Sequence, residues 1–198
     1  MAKRPTSRPD VVALEGYHSP QMDVAVRLNT NDSPLPPPAE FADALAEATR
    51  AIGWNRYPDR GAGRLRTALA ERYGVGADQV FAANGSNEVI QSLLMAYGGS
   101  GRSVAVFEPT YAMYAQIARF TGTRVVRARR DSDFALAPTV VADLLDAECP
   151  DLVVLCSPNN PTGTLDPGNL VSEVVEAAGS YGGLVVVDEA YGQFAPHS

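Results

Sequence analysis

Between Ser103 and Asp188 the chain alternates short, largely apolar runs with stretches of helical spacing. The runs are Ser103–Phe107, Arg124–Ala128, Leu152–Cys156 and Leu184–Val187, and a further one, Gln79–Ala83, precedes them. Helices are expected over Asn87–Tyr97, Tyr111–Phe120, Thr139–Leu145 and Pro167–Ala178, where apolar residues recur three and four apart. Strands this apolar must be covered on both sides, and the strand–helix alternation predicts an α/β fold: a mostly parallel sheet with helices on both faces. In such sheets ligands gather at the carboxyl ends of the strands. The residues at those ends are Gly85-Ser86-Asn87, Glu108-Pro109-Thr110-Tyr111, Ser157 to Gly163, and Asp188 to Tyr191. Together they offer backbone amides at a helix start, an aromatic ring, an amide side chain and a carboxylate.

The N-terminal part is organised differently. Residues 1–22 read as an arm without periodicity, and Val24–Leu28 as a short strand. LNTNDSPLPPP is too rich in proline for a helix or a central strand. Phe41, Leu45, Ala48 and Ile52 mark an amphipathic helix over Ala39–Ile52. WNRYPDRGAG is a loop, and Leu65–Tyr73 a second helix closed by Gly74.

Several functions are disfavoured by composition. A net charge of −7 is opposite to that of a nucleic-acid binder. No apolar run approaches a membrane span, and MAKRPTSRPD lacks the core of a signal peptide, so a soluble, cytoplasmic protein is expected, with no nucleic-acid or membrane partner. Cys149 and Cys156 lack metal-ligand spacing and read as buried thiols. LVVVDEAY resembles the acidic strand of nucleotide hydrolases, but the phosphate loop with its lysine is missing. GAGRLR lacks the third glycine of a dinucleotide fingerprint and follows no strand. His18 and His197 have no partners that suggest a metal site or a triad. Lys3, in the N-terminal arm, is the sole lysine of the 198 residues.

The apolar run ending at Leu155 and Cys156 stops at Ser157-Pro158-Asn159-Asn160-Pro161-Thr162-Gly163. Two prolines stiffen this segment and a glycine permits a tight turn, which fits either a simple turn or a rigid loop presenting an amide to a ligand. SPNNPTG (157–163) and VVVDEAY (185–191), supported in order by RYPD (56–59), NGSNE (84–88) and EPTYAMY (108–114), resemble the pyridoxal-phosphate-dependent aminotransferases of fold type I, class I/II. Within them the likeness is greatest to the histidinol-phosphate aminotransferase group, and it runs from about Leu28 to Phe194.

The resemblance implies a chain with an arm and proline-rich segment (1–35) and a partial pyridoxal-phosphate-binding large domain (36–198), incomplete at its C-terminus. It implies a cofactor, pyridoxal 5'-phosphate, whose phosphate meets the N–H groups of Ser86 and Asn87, as a helix start suits an anion. Tyr111 stacks on the ring. Asp188 pairs with the ring nitrogen and keeps it protonated. Asn160 and Tyr191 donate to the phenolic oxygen, while Asn159 serves the turn. Tyr57 reaches the phosphate of a neighbouring subunit, which implies a homodimer. The plainer readings stay open beside these: Ser86 as a helix cap, Tyr111 as a core tyrosine, Asp188 in a solvated acidic pair, Tyr57 packed by Trp54.

Two departures from the family stand out. The lysine that forms the Schiff base is absent, so no catalytic residue is assigned, and the expectation is a fragment that is inactive alone, with an open, aggregation-prone sheet edge. Leu35 stands where many family members carry a tyrosine that helps bind the substrate phosphate. The implied reaction is histidinol phosphate plus 2-oxoglutarate to imidazole acetol phosphate plus glutamate, in histidine biosynthesis. The alternatives are an aminotransferase acting on an aromatic or other amino-acid or amino-phosphate substrate with a 2-oxo acid, a decarboxylase of a phosphorylated amino acid, or a non-catalytic truncated paralogue acting as a binding partner.

Overall fold

Strands form where apolar residues are needed on both sides of one backbone, and four such segments pair here. In the computed structural model, which describes residues 5–13, 20, 22–26, 29–33 and 35–196, they are β1 (Ser103–Glu108), β2 (Arg124–Arg129), β3 (Leu152–Cys156) and β4 (Leu184–Asp188). All pairings are parallel, in the order β2-β1-β3-β4. The helices are α1 (Pro9–Val12), α2 (Ala39–Arg50), α3 (Gly63–Tyr73), α4 (Ser86–Tyr97), α5 (Met113–Thr121), α6 (Pro138–Glu148) and α7 (Leu170–Gly179). The chain divides into two compact units, Met1–Leu14 with Ala83–Ser198, and Glu15–Ala82.

The first unit holds the sheet. Successive side chains of a strand point to opposite faces, and β1 and β3 use both. Val104, Val106, Leu152 and Val154 pack under α4 and α5, against Ile90, Leu94, Tyr114 and Ile117. Ala105, Phe107, Val153 and Leu155 pack under α6 and α7, against Val141, Leu145, Leu170 and Val174. Each fully buried aliphatic side chain here contributes about 1.5–3 kcal/mol of transfer free energy. The expected α/β architecture, with helices on both faces, is therefore the one observed. The edges differ in character. In β2, Arg124, Arg127 and Arg129 are exposed, a charged edge that resists further strand pairing. The other edge, β4, is half-buried along its whole length. In the register of β3 and β4, Cys156 lies beside Asp188, so both strands end together.

In the Glu15–Ala82 unit, the Asp59 carboxylate accepts from Gly61 N–H (2.9 Å) and Gly63 N–H (2.8 Å) and so starts α3. These two backbone bonds, Gly63 first, hold Asp59 below the usual carboxylate range. Arg66 Nε donates to Ala77 O (3.0 Å), tying α3 to a 3-10 turn over Ala77–Gln79. The apolar stripe of α2 forms as the spacing predicts, yet no residue of that helix is buried.

Some expectations are corrected. Gln79–Ala83 is not a strand: Gln79 closes the 3-10 turn, and Val80, though extended, donates its N–H back to Ala77 O (3.4 Å) and not to a neighbouring strand. Extended backbone becomes a strand only where a neighbouring strand takes its N–H and C=O groups, and among the described residues no strand pairs with this segment. Val24–Val26 form no strand either, and the rest of that segment, Arg27 and Leu28, lies outside the described residues. Within the expected arm, Pro9–Val12 form one helical turn, with Pro in its first positions. Tyr111 precedes α5 rather than opening it. Cys156 is buried, but Cys149 is exposed, at the left-handed end of α6. Lys3, His18 and His197 lie outside the described residues. Among the described residues no helix is long and apolar enough to cross a membrane.

Candidate active site

At the carboxyl ends of β3 and β4 lies a cavity of about 250 Å³. Ser86, Asn87, Tyr111, Asn160, Asp188 and Tyr191 all line it, although they are spread over more than a hundred positions of sequence. Tyr57 belongs to the other unit, on a loop where it is 95% exposed; Trp54 of that loop is also exposed.

One end of the cavity is the start of α4. Its cap is Gly85, at φ +80, a conformation that glycine adopts without strain. A Cβ on Gly85 would meet nothing within 4 Å, so the backbone borders open space there. The first bonds to a preceding carbonyl come from Glu88 and Val89, both to Gly85 O. The N–H groups of Ser86 and Asn87 lie ahead of them and point their partial positive charge outward. Near the same end, Glu88 accepts from Asn84 N–H (2.6 Å) and Asn84 Nδ2 (2.7 Å). Those bonds hold its carboxyl below the ordinary range.

The opposite chemistry comes from Asp188 at the end of β4. Its Oδ1 accepts from Ala190 N–H (3.0 Å) and its Oδ2 from the Tyr114 hydroxyl (2.6 Å). Tyr114 is 1% exposed. Burial first, and then the bond to Asp188, push its phenol far above the usual range, so it stays protonated and donates. The Cys156 thiol, also lining the cavity, is pushed up mainly by burial and stays uncharged. Tyr111 sets its hydroxyl on Asn87 Oδ1 (3.2 Å) and packs edge-on against Tyr114, with ring centroids 5.5 Å apart at 81°.

The two asparagines of the 157–163 loop have separate uses. Asn159 is 2% exposed, and both polar atoms of its side chain are bonded: Oδ1 accepts from Thr110 Oγ1 (2.9 Å), and Nδ2 donates to Pro109 O (3.0 Å) and Thr162 Oγ1 (2.7 Å). Its backbone closes the turn, with N–H to Thr164 O (2.8 Å) and its carbonyl accepting from Gly163 N–H (2.7 Å). Asn160 is the one that lines the cavity. The rear of the loop is pinned by a buried ion pair. Arg130 Nη1 donates to Asp166 Oδ1 (2.7 Å), the two side chains being 1% and 2% exposed. Arg130 Nη2 also reaches Cys156 O (3.4 Å), and Asp166 N–H donates to Ser157 Oγ (3.1 Å).

Sequence reasoning missed Tyr114 and the Arg130–Asp166 pair. For Tyr114 a signal existed: EPTYAMY carries a second tyrosine three residues after Tyr111, at the expected strand end. Nothing local announces the ion pair, whose members are 36 positions apart.

Taken together, the cavity is lined by backbone at a helix start, a carboxylate, an aromatic ring and an amide side chain. A doubly covered parallel sheet with such a site at its strand ends is the large-domain architecture of fold type I transferases. The family aminotransferase class I and II matches residues 23–198, and the chain belongs to that family. It is 50% identical to a histidinol-phosphate aminotransferase of Frankia casuarinae, over 94% of this chain and 49% of that protein. To the histidinol-phosphate aminotransferase of Thermobifida fusca it is 47% identical, over 94% of this chain and 51% of that one. The fold matches histidinol-phosphate aminotransferase from Sinorhizobium meliloti in complex with pyridoxal-5'-phosphate, with a TM-score of 0.83 and 23% identity, over 95% of this chain and 52% of that chain. The chain thus spans about half the length of the curated relatives it matches.

Proposed function

We propose that these residues form the cofactor-holding part of a pyridoxal-phosphate-dependent aminotransferase of histidine biosynthesis. The reaction is transfer of the amino group of histidinol phosphate to 2-oxoglutarate, yielding imidazole acetol phosphate and glutamate. The observation that carries the cofactor reading is the convergence of Ser86, Asn87, Tyr111, Asn160, Asp188 and Tyr191 on one cavity. The residues fit the group: open space beside Gly85 and two N–H groups suit a phosphate, and an ionisable carboxylate with spare acceptor capacity suits a ring nitrogen. The names of the relatives at 50% and 47% identity support the substrate.

Bound there, pyridoxal phosphate supplies an electron sink for the carbon that exchanges its amino group. The α4 start would hold the phosphate. Asp188 would keep a proton on the ring nitrogen, Asn160 and Tyr191 would donate to the phenolic oxygen, and Tyr111 would cover the ring face. Tyr57, on its exposed loop, would reach the cofactor phosphate of a partner subunit in a homodimer. The lysine that carries the cofactor and moves the proton is not among these 198 residues, Lys3 being the sole lysine. The substrate arginines likewise would belong to the half of the relatives that has no counterpart here.

A second reading, an aminotransferase for aromatic or other amino acids, is favoured by Leu35, 75% exposed, in place of a phosphate-binding tyrosine. The test assays residues 1–198 and the full natural chain side by side, with histidinol phosphate or phenylalanine as amino donor. Turnover of histidinol phosphate by the full chain, and none by 1–198 above free cofactor, is expected. Turnover by 1–198 would overturn the assignment of the lysine elsewhere, and preference for phenylalanine would favour the second reading. Binding of the cofactor without turnover by the full chain would point to the non-catalytic partner.

A further inference from the structure

We infer that Tyr114 is a positioning residue of the site: its hydroxyl, donating to Asp188 Oδ2 at 2.6 Å, fixes the carboxylate for the protonated ring nitrogen and keeps the shared proton on the ring. This rests on the cofactor reading above. Asp188 ends β4, where no further strand residue confines its side chain, and two bonds define its orientation. Ala190 N–H holds Oδ1 from the Asp188–Tyr191 turn, and Tyr114 holds Oδ2 from the helix packed over the sheet. The first comes from an exposed residue of the turn. The second is anchored in the core, because Tyr114 is packed among Ile90, Val106 and Ile117 and its ring edge meets Tyr111.

The chemistry follows from what a carboxylate can accept. Each oxygen has two lone-pair sites, so the bonds from Ala190 and Tyr114 leave capacity for a third donor. A donor to a carboxylate favours its ionised form. Where a proton lies between a carboxylate and a ring nitrogen, such a donor shifts it toward the nitrogen. The phenol cannot itself become an anion here, since burial holds it protonated. Tyr114 therefore acts on the ring nitrogen through Asp188, and its effect should vanish with a ligand that has no ring nitrogen.

The experiment uses the full natural chain and two ligands, pyridoxamine 5'-phosphate and its 1-deaza analogue, in which the ring nitrogen is a C–H. Neither carries an aldehyde, so binding needs no lysine. Affinities are measured by calorimetry, and the readout is the ratio of the two Kd values. The wild type should prefer the nitrogen-bearing ligand by about tenfold or more, the worth of a charged hydrogen bond. Asp188→Asn should bring the ratio close to one. Tyr114→Phe should lower the ratio severalfold while leaving the Kd of the deaza ligand nearly unchanged.

If Asp188→Asn removes the preference and Tyr114→Phe leaves it intact, the inference is overturned and the cofactor reading stands. If Tyr114→Phe weakens both ligands equally, its role is packing alone, and the inference fails. If the wild type binds neither ligand, or Asp188→Asn keeps the preference, the cofactor reading fails and takes the inference with it. Should Tyr114→Phe not fold, 3-fluorotyrosine at position 114 serves instead: a more acidic phenol of nearly the same size should raise the ratio, and an unchanged ratio would overturn the inference.

Discussion

Asp166→Ala removes the partner of a guanidinium that has little else to hold. Arg130 and Asp166 are 1% and 2% exposed and meet at 2.7 Å, so both charges are taken out of water and compensate each other. Without the carboxylate, Arg130 keeps only weak contacts to Phe134 O (3.3 Å) and Cys156 O (3.4 Å), and its Nε has no partner among the described residues. Removing one member of a buried pair costs about 3–5 kcal/mol, because the survivor stays desolvated and unpaired. For a domain of this size that is a fall in Tm of about 6–20 °C. The assay is urea and thermal unfolding of wild type, Asp166→Ala, and the double variant Arg130→Met with Asp166→Leu. The double variant should recover most of the loss, since an apolar pair of similar volume leaves no buried charge behind. A loss under about 1 kcal/mol for Asp166→Ala, the worth of a solvated surface pair, would refute the reasoning. So would a double variant as unstable as the single one, which would show that the shape of the loop, and not the charge, is what matters.

The neighbouring asparagines should separate stability from binding. Asn159→Ala removes the partner of Pro109 O and Thr110 Oγ1, on two half-buried residues, and should cost about 1–3 kcal/mol in unfolding experiments. Asn160→Ala should leave stability within about 0.5 kcal/mol while weakening pyridoxamine phosphate binding in titrations; equal effects of the two would contradict the division of labour. Tyr114 also makes a prediction about alkaline stability. Its phenol is raised above the usual value of 10.0. Below pH 10 both states hold the proton and the stabilisation is complete. Above it the unfolded chain releases a proton that the folded one retains, so stability falls, by up to about 1.4 kcal/mol per pH unit. Urea midpoints measured between pH 9 and 11 should drop more steeply for wild type than for Tyr114→Phe; parallel curves would mean the phenol ionises freely in the folded state.

Much of the site could be read from residues alone because each piece is local. Gly85-Ser86-Asn87 announces a tight turn into a helix, and Asp188 closes an apolar run. The proline-flanked asparagines announce a stiff loop. The order of these pieces along the chain resembles one family, and that family is the one the chain belongs to. Which asparagine faces the cavity was legible only as a likeness, since two adjacent amides look alike until one is seen bonded to Pro109 and Thr110, some fifty positions away.

The sequence by itself determined the alternation of strand and helix, and with it a parallel sheet whose ligands must lie at the strand ends. An apolar period is written in each segment and needs no partner to be recognised. The strand expected at Gln79–Ala83 shows the limit, because its residues carry the pattern but no strand among the described residues pairs with them. Only the tertiary structure decided that Tyr114 meets Asp188, 74 positions away, and that Arg130 meets Asp166 under the loop. Those contacts depend on how helices and loops dock on the sheet, and a short stretch of residues does not encode what will be packed against it.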